Sequence, residues 1–237
     1  MSAREGRLSG RLALVTGASR GLGAAIARAF AAEGADLVLL ARTVGGLEET
    51  DDAVRRAGGH ATLVPLDLAD SDALDRLGAA LHARHGKLDI LVGAAAMLGT
   101  LSPVAHADPK DWERVMAVNL TANFRLLRSM DPLLRASDAG RAIFVTDAVG
   151  AEARAYWSAY AVGKAALEAM ARAYAHENAT GALRVNLADP GPMRTRLRAQ
   201  AYPGEDPARV PEPDGAARAL VSLAEPGCVR HGEVVRL

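Results

Sequence analysis

Two groupings in this sequence have the residue types and spacing for chemistry. The first is Thr16-Gly17-Ala18-Ser19-Arg20-Gly21-Leu22-Gly23, with glycines four and then two positions apart. Glycines let a backbone turn tightly and approach a pyrophosphate, and free N–H groups at the start of a following helix favour anionic oxygens. The second is Tyr160-Ala161-Val162-Gly163-Lys164. Residues at i and i+4 share a helical face, so the ammonium can reach under the phenol and draw its pKa down from about 10. Tyr and Lys four apart are commonplace by themselves. The glycine turn upstream gives the pair its weight.

These residues need elements to hold them, and short aliphatic runs alternating with helical periods supply them. Leu12 to Thr16 reads as a first strand and Gly21 to Glu33 as a helix, with Leu22, Ile26, Ala29 and Phe30 on one face and Gly34 as its stop. Strands follow at Leu37 to Ala41, Ala61 to Leu66, Ile90 to Gly93, Ala142 to Thr146, Leu183 to Ala188 and Glu233 to Leu237. Helices are predicted at Val44 to Ala57, Asp70 to Arg84 (capped by Asp70 or Ser71), Asp108 to Ala136, Ser158 to Ala179 and Asp214 to Ala224. Pro132 should kink or restart the fourth of these six helices. Residues 189 to 213, rich in Pro, Gly and Arg, read as an irregular excursion with one short helix that covers a binding site. The pattern predicts an α/β fold: one Rossmann-type, doubly wound parallel sheet with helices on both faces, forming a single domain over residues 1–237.

Composition narrows the function classes. With 28 Lys+Arg against 28 Asp+Glu there is no global field to attract nucleic acid or anionic lipid, and 4% aromatic residues leave few stacking platforms. The arginines of Arg194-Thr195-Arg196-Leu197-Arg198 are read as meeting phosphate or an acidic substrate rather than nucleic acid. The lone Cys228 allows neither an intrachain disulfide nor a thiolate metal cluster, and no metal site is expected. Met1 to Gly10 is polar, with Arg4, Glu5 and Arg7, so it does not read as a signal peptide; the longest nearly apolar run, Ile90 to Gly99, is too short to span a bilayer. A cytoplasmic protein with no membrane partner is expected.

The glycine spacing differs from the usual G-x-G-x-x-G and resembles the T-G-x-x-x-G-x-G of the short-chain dehydrogenases/reductases. Y-x-x-x-K is that family's catalytic signature, and the resemblance runs from Leu12 to Leu237. It implies about seven parallel strands and hydride transfer between a nicotinamide cofactor and a small carbonyl or alcohol. It also implies a tetrad in which Tyr160 passes the proton, Lys164 tunes it and holds the ribose, Asn119 anchors a relay water and a serine polarises the carbonyl. A homodimer or homotetramer is implied through the helices at Asp108 to Ala136 and Ser158 to Ala179; the alanine-rich faces of the second permit close packing and would also suit a monomer's sheet-covering helix.

By the same resemblance, the cofactor contacts fall on Thr16, Gly17, Ser19, Arg20, Gly21, Leu22, Gly23, Asp67, Leu68, Ala94, Lys164, Pro190, Gly191 and Thr195. NAD-preferring members carry an acidic residue at the end of the second strand; here Ala41 is followed by Arg42. Arg42 and Arg20 together suit a dianionic 2′-phosphate, so NADP(H) is expected over NAD(H).

Two departures sit inside the motifs. Thirteen residues before Tyr160, where the family has its serine, stands Asp147, in Val145-Thr146-Asp147-Ala148-Val149-Gly150. An ionised carboxylate cannot donate to a carbonyl oxygen, repels the developing alkoxide and raises the Tyr160 pKa. Thr146 should point to the opposite face of the strand, and Ser158 is a poor substitute. The family's N-N-A-G is Gly93-Ala94-Ala95-Ala96, which removes both asparagines and strains Ala96 if its φ is positive. These departures keep a second reading open: a catalytically impaired relative with a nucleotide-binding, scaffold or regulatory role.

Overall fold

The computed structural model describes residues 6–237. Arg4 and Glu5, on which the reading of Met1 to Gly10 partly rests, lie outside the described residues. Seven parallel strands form one sheet: β1 (Leu12–Thr16), β2 (Asp36–Ala41), β3 (His60–Pro65), β4 (Ile90–Gly93), β5 (Arg141–Val145), β6 (Arg184–Asp189) and β7 (Val234–Arg236). Their spatial order is β3-β2-β1-β4-β5-β6-β7. The order reverses between β1 and β4, and a crevice opens there at the carboxyl ends of the strands.

The helices connecting these strands are α1 (Gly21–Ala32), α2 (Val44–Arg56), α3 (Ser71–His85), α4 (Pro109–Met116), α5 (Ala122–Arg135), α6 (Val149–Glu152), α7 (Ser158–Glu177), α8 (Arg196–Ala201) and α9 (Asp214–Ala224). Strand periodicity divides the core in two. Ala13, Val15, Leu37, Leu39, Ile143 and Val145 pack with α1 and α9 on one face. Leu14, Val38, Leu40, Ala142 and Phe144 pack with α3, α5 and α7 on the other. Because both faces are covered, the strands are near-continuous apolar runs.

At the amino ends of the strands the buried Asp89 carboxylate ties β1, β4 and the start of β5 together. It accepts from the Leu12 N–H at 3.0 Å, Ser137 Oγ at 2.6 Å, and Lys87 Nζ and Arg11 Nη1 at 3.0 Å each. Burial pushes its pKa up, but these donors outweigh burial and hold it below the ordinary aspartate value.

Two local expectations are corrected. The segment 108–136 is not broken at Pro132, which lies inside α5. The break comes at Ala117–Thr121, a single π turn between α4 and α5. Pro132 falls in the last turn of α5. The π turn centres on Asn119 and gives that residue its placement. The second correction concerns Ala96, whose φ is not positive: the non-glycine residues in that region are Ala153 (49°) and Tyr156 (72°). Alanine therefore imposes no backbone strain at 96. Among the described residues, no helix is long and apolar enough to cross a membrane and no group of His, Cys, Asp and Glu is placed to hold a metal.

Candidate active site

The turn between β1 and α1 is built from close contacts that only glycine tolerates. Gly17 has φ 67° and Gly21 φ 54°. A Cβ on Gly17 would sit 2.8 Å from Ala95 Cα, and one on Gly23 would meet the Gly17 carbonyl oxygen at 2.3 Å. The turn thus lies flat against both its own helix and the segment after β4. Thr16, fully buried, fastens that segment: its Oγ1 accepts from the Ala94 and Ala95 N–H groups at 3.1 and 3.2 Å.

A cleft of about 800 Å³ runs from this turn across the carboxyl ends of the strands. Gly17, Ser19, Arg20, Gly21, Leu22 and Gly23 line one end, with Arg42, Asp67, Leu68 and Ala94 beside them. Asp147, Tyr160, Lys164, Pro190, Gly191 and Thr195 line the other. Thr16 and Asn119 do not line it; both support its walls from behind. Thr195 caps α8 by accepting from the Arg198 N–H at 3.3 Å, and its methyl group lies beside Gly21, so α8 begins against the phosphate-type turn.

Arg20 is exposed and has no ion-pair partner among the described residues. Arg42, also exposed, lies 3.8 Å from Asp67, whose other carboxylate oxygen accepts from the Ala69 N–H at 3.0 Å. The tight glycine cradle and the unsatisfied Arg20 fit a nucleotide pyrophosphate and an additional phosphate.

Tyr160 and Lys164 project from the first turns of α7, and both are buried. Lys164 Nζ donates to the Val145 carbonyl oxygen at 2.7 Å and lies 5.6 Å from the centre of the Tyr160 ring. Burial brings its pKa down to about 8 against the opposing pull of Asp147 and Glu168. The Tyr160 hydroxyl donates to Asp147 Oδ2 at 3.3 Å. Burial, and then the Asp147 and Asp189 carboxylates, push the phenol well above its ordinary value. This corrects the expectation that Lys164 draws it downward. In this arrangement Tyr160 is an acid that holds its proton at neutral pH.

Asp147 is half-buried, and its Oδ1 accepts at 3.0 Å from the N–H of Val149, the first residue of the short helix α6. Thr146 turns away, with its hydroxyl donating to Glu168 Oε1 at 2.7 Å. Asn119 clamps the loop after β4: its Oδ1 accepts from the Met97 N–H at 2.8 Å and its Nδ2 donates to the Met97 carbonyl at 2.9 Å.

Several participants were not legible as site residues. Asp189, at the end of β6, accepts from the Gly191 N–H at 3.0 Å and adds a second negative charge near Tyr160. Its position directly before Pro190-Gly191 was the available signal. Trp157 packs edge-on to Tyr160 with ring centres 5.9 Å apart and meets Tyr202 at 5.7 Å, forming an aromatic wall.

Asn123 was also missed. An added Cβ on Gly93 would lie 2.4 Å from Asn123 Oδ1, so the α5 amide occupies the space above the strand end. Its Nδ2 donates to the Asn119 carbonyl at 2.9 Å. Asn123→Ala is expected to remove that hydrogen bond and open a void over Gly93, costing about 1–3 kcal/mol in urea denaturation. An unchanged midpoint would show that the amide supports nothing.

Residues 11–206 match the family model described as short chain dehydrogenase. The chain is 36% identical over 209 residues to the uncharacterized oxidoreductase YciK of Escherichia coli K12, covering 87% of this chain and 82% of that protein. A solved structure from Pseudomonas syringae superposes with TM-score 0.94 at 38% identity, covering 99% of this chain and 97% of the other. One from Escherichia coli CFT073 complexed with NADPH gives TM-score 0.92 at 33% identity over 99% of both chains. With its sheet order, its glycine turn and its Tyr-Lys helix accounted for, this chain belongs to the short-chain dehydrogenase/reductase family.

Proposed function

We propose that the protein is an NADP(H)-dependent oxidoreductase, one Rossmann-type domain acting on a small molecule by hydride transfer, with carbonyl–alcohol interconversion slowed by Asp147. The observation that carries this reading is that a single cleft holds both the glycine cradle and the buried Tyr160–Lys164 pair. In this reading Gly17, Ser19, Gly21, Leu22 and Gly23 hold the pyrophosphate, Leu68 and Ala94 flank the adenosine, and Arg20 and Arg42 take the 2′-phosphate. Asp67, Pro190, Gly191 and Thr195 complete the cofactor's surroundings. When bound, the nicotinamide supplies the hydride.

The chain's own residues do the rest. Tyr160 donates its proton to the oxygen that gains charge, and its high pKa keeps that proton available. Lys164, anchored on the Val145 carbonyl, sets a positive charge beneath the ring. Asn119 holds the Met97 loop that forms the roof. Asp147 opposes the reaction of a carbonyl, because its charge repels the nascent alkoxide.

Titration by nucleotide fluorescence tests the cofactor assignment. NADPH is expected to bind more tightly than NADH, and Arg42→Ala to weaken NADPH about ten-fold, the loss of one charge-assisted contact, while sparing NADH. Equal binding of both nucleotides would remove the roles given to Arg20 and Arg42. The structure with NADPH from Escherichia coli CFT073 supports the choice by likeness. Oligomerisation through α5 and α7 is supported by the exposed Phe124 and Val162.

A further inference from the structure

The carboxylate that opposes carbonyl reduction in the reading above suits a different acceptor. Where a hydride acceptor's heteroatom would meet its polarising hydroxyl, this cleft presents Asp147, which is not ion-paired among the described residues. Its Oδ1 is committed to the Val149 N–H, whereas Oδ2 has only the Tyr160 hydroxyl at 3.3 Å. Lys164 is fixed behind, on the Val145 carbonyl at 2.7 Å. Asp189 adds a second carboxylate, paired at 3.8 Å with the largely exposed Arg236. Of the other cations lining this end, Arg154 is paired with Glu152, Arg198 is paired with Glu205 and Arg196 is exposed, so the acceptor position itself presents a carboxylate with no ion pair among the described residues. Its complement is a donor carrying positive charge.

We propose that the acceptor this cleft is built for is a protonated carbon–nitrogen double bond, an iminium, with Asp147 Oδ2 accepting from its N–H. The proposal rests on the nicotinamide-dependent reading of the same cleft. The iminium carbon takes a hydride from a reduced nicotinamide, and the C=N π pair becomes the nitrogen lone pair. The nitrogen keeps the proton it arrived with, and a neutral amine and an oxidised nicotinamide result. A carbonyl develops negative charge during hydride transfer, which Asp147 repels. An imine must first be protonated, and the carboxylate stabilises that cation and the positive charge still present in the transition state. Trp157 and Tyr202 form the wall beside this position, suited to a flat, cyclic imine.

Calorimetry on the NADP⁺-loaded protein at neutral pH tests the assignment without turnover. Two matched pairs are used: 1,2,3,4-tetrahydroisoquinolinium against isochroman, and pyrrolidinium against tetrahydrofuran. Each pair differs only by NH₂⁺ or oxygen in the ring. The ammonium of at least one pair is expected to bind ten-fold or more tightly than its ether, and Asp147→Ser and Asp147→Asn to abolish that preference. In parallel, wild type should reduce 3,4-dihydroisoquinoline faster than 1-tetralone, with the order reversed in Asp147→Ser. Equal or undetectable binding across both pairs overturns the proposal, as does a preference that survives loss of the carboxylate. NADPH fluorescence on the same samples separates the two levels. NADPH binding without ammonium preference overturns the iminium assignment alone, whereas no NADPH binding overturns the reading beneath it and the assignment together.

Discussion

Replacing Asp147 with serine is expected to raise kcat/KM for ketone reduction by about 10²–10³, the value typical of one hydrogen-bond donor to a developing oxyanion. Two effects act in the same direction. A hydroxyl supplies the donor that a carboxylate lacks, and removing the negative charge lifts the repulsion of the alkoxide. The second effect also reaches Tyr160, because Asp147 is one of the groups that push the phenol upward after burial. The variant's phenol should therefore lose its proton at lower pH, moving the alkaline limb of the rate profile downward. Structure is expected to survive, since serine can replace the Asp147 Oδ1 cap on the Val149 N–H. Steady-state kinetics with NADPH and a ketone panel, over a range of pH, measures both quantities. Unchanged ketone turnover would mean that Asp147 does not face the reacting oxygen.

The second large effect is expected from Tyr160→Phe: a fall in turnover of about 10²–10⁴, the usual contribution of a positioned general acid. The substitution isolates the hydroxyl. Its ring keeps the packing with Leu98, Val149 and Ala161, and the edge contact with Trp157. Lys164 cannot take over, because it is fully buried and its Nζ is held on the Val145 carbonyl at 2.7 Å. NADPH affinity should stay near the wild-type value, so kcat carries the loss. Turnover within a few-fold of wild type would assign the proton to another group, and Asp147 would be the first to examine.

What the sequence disclosed followed from how local each signal is. β1, β4 and α9 were bounded correctly because apolar runs and flanking glycines or prolines encode them within a few residues. The glycine turn and the Tyr160–Lys164 spacing are likewise local and could be placed on their elements directly. Pro132 misled because a proline in the last turn of a helix does not end it there. The actual interruption, at Ala117–Thr121, carries no breaker residue at all. Tyr160 misled in another way: its pKa is set by burial and by carboxylates at 147 and 189, which only the folded chain brings together. Glu168 was invisible for the same reason, meeting Thr146 across the sheet-to-helix contact.

Gly93 and Asn123 show how an apparent loss within a motif can be a relocation. The amide missing from the strand end is supplied thirty residues later, by α5. The two positions then behave as a unit whose substitution energies do not add. Asparagine placed at 93 collides with the amide already there, and a small residue at 123 leaves a hole; the two changes made together relieve one another. Restoring an asparagine at 93 alone is therefore expected to weaken this strand end, because the space it needs is already filled from α5.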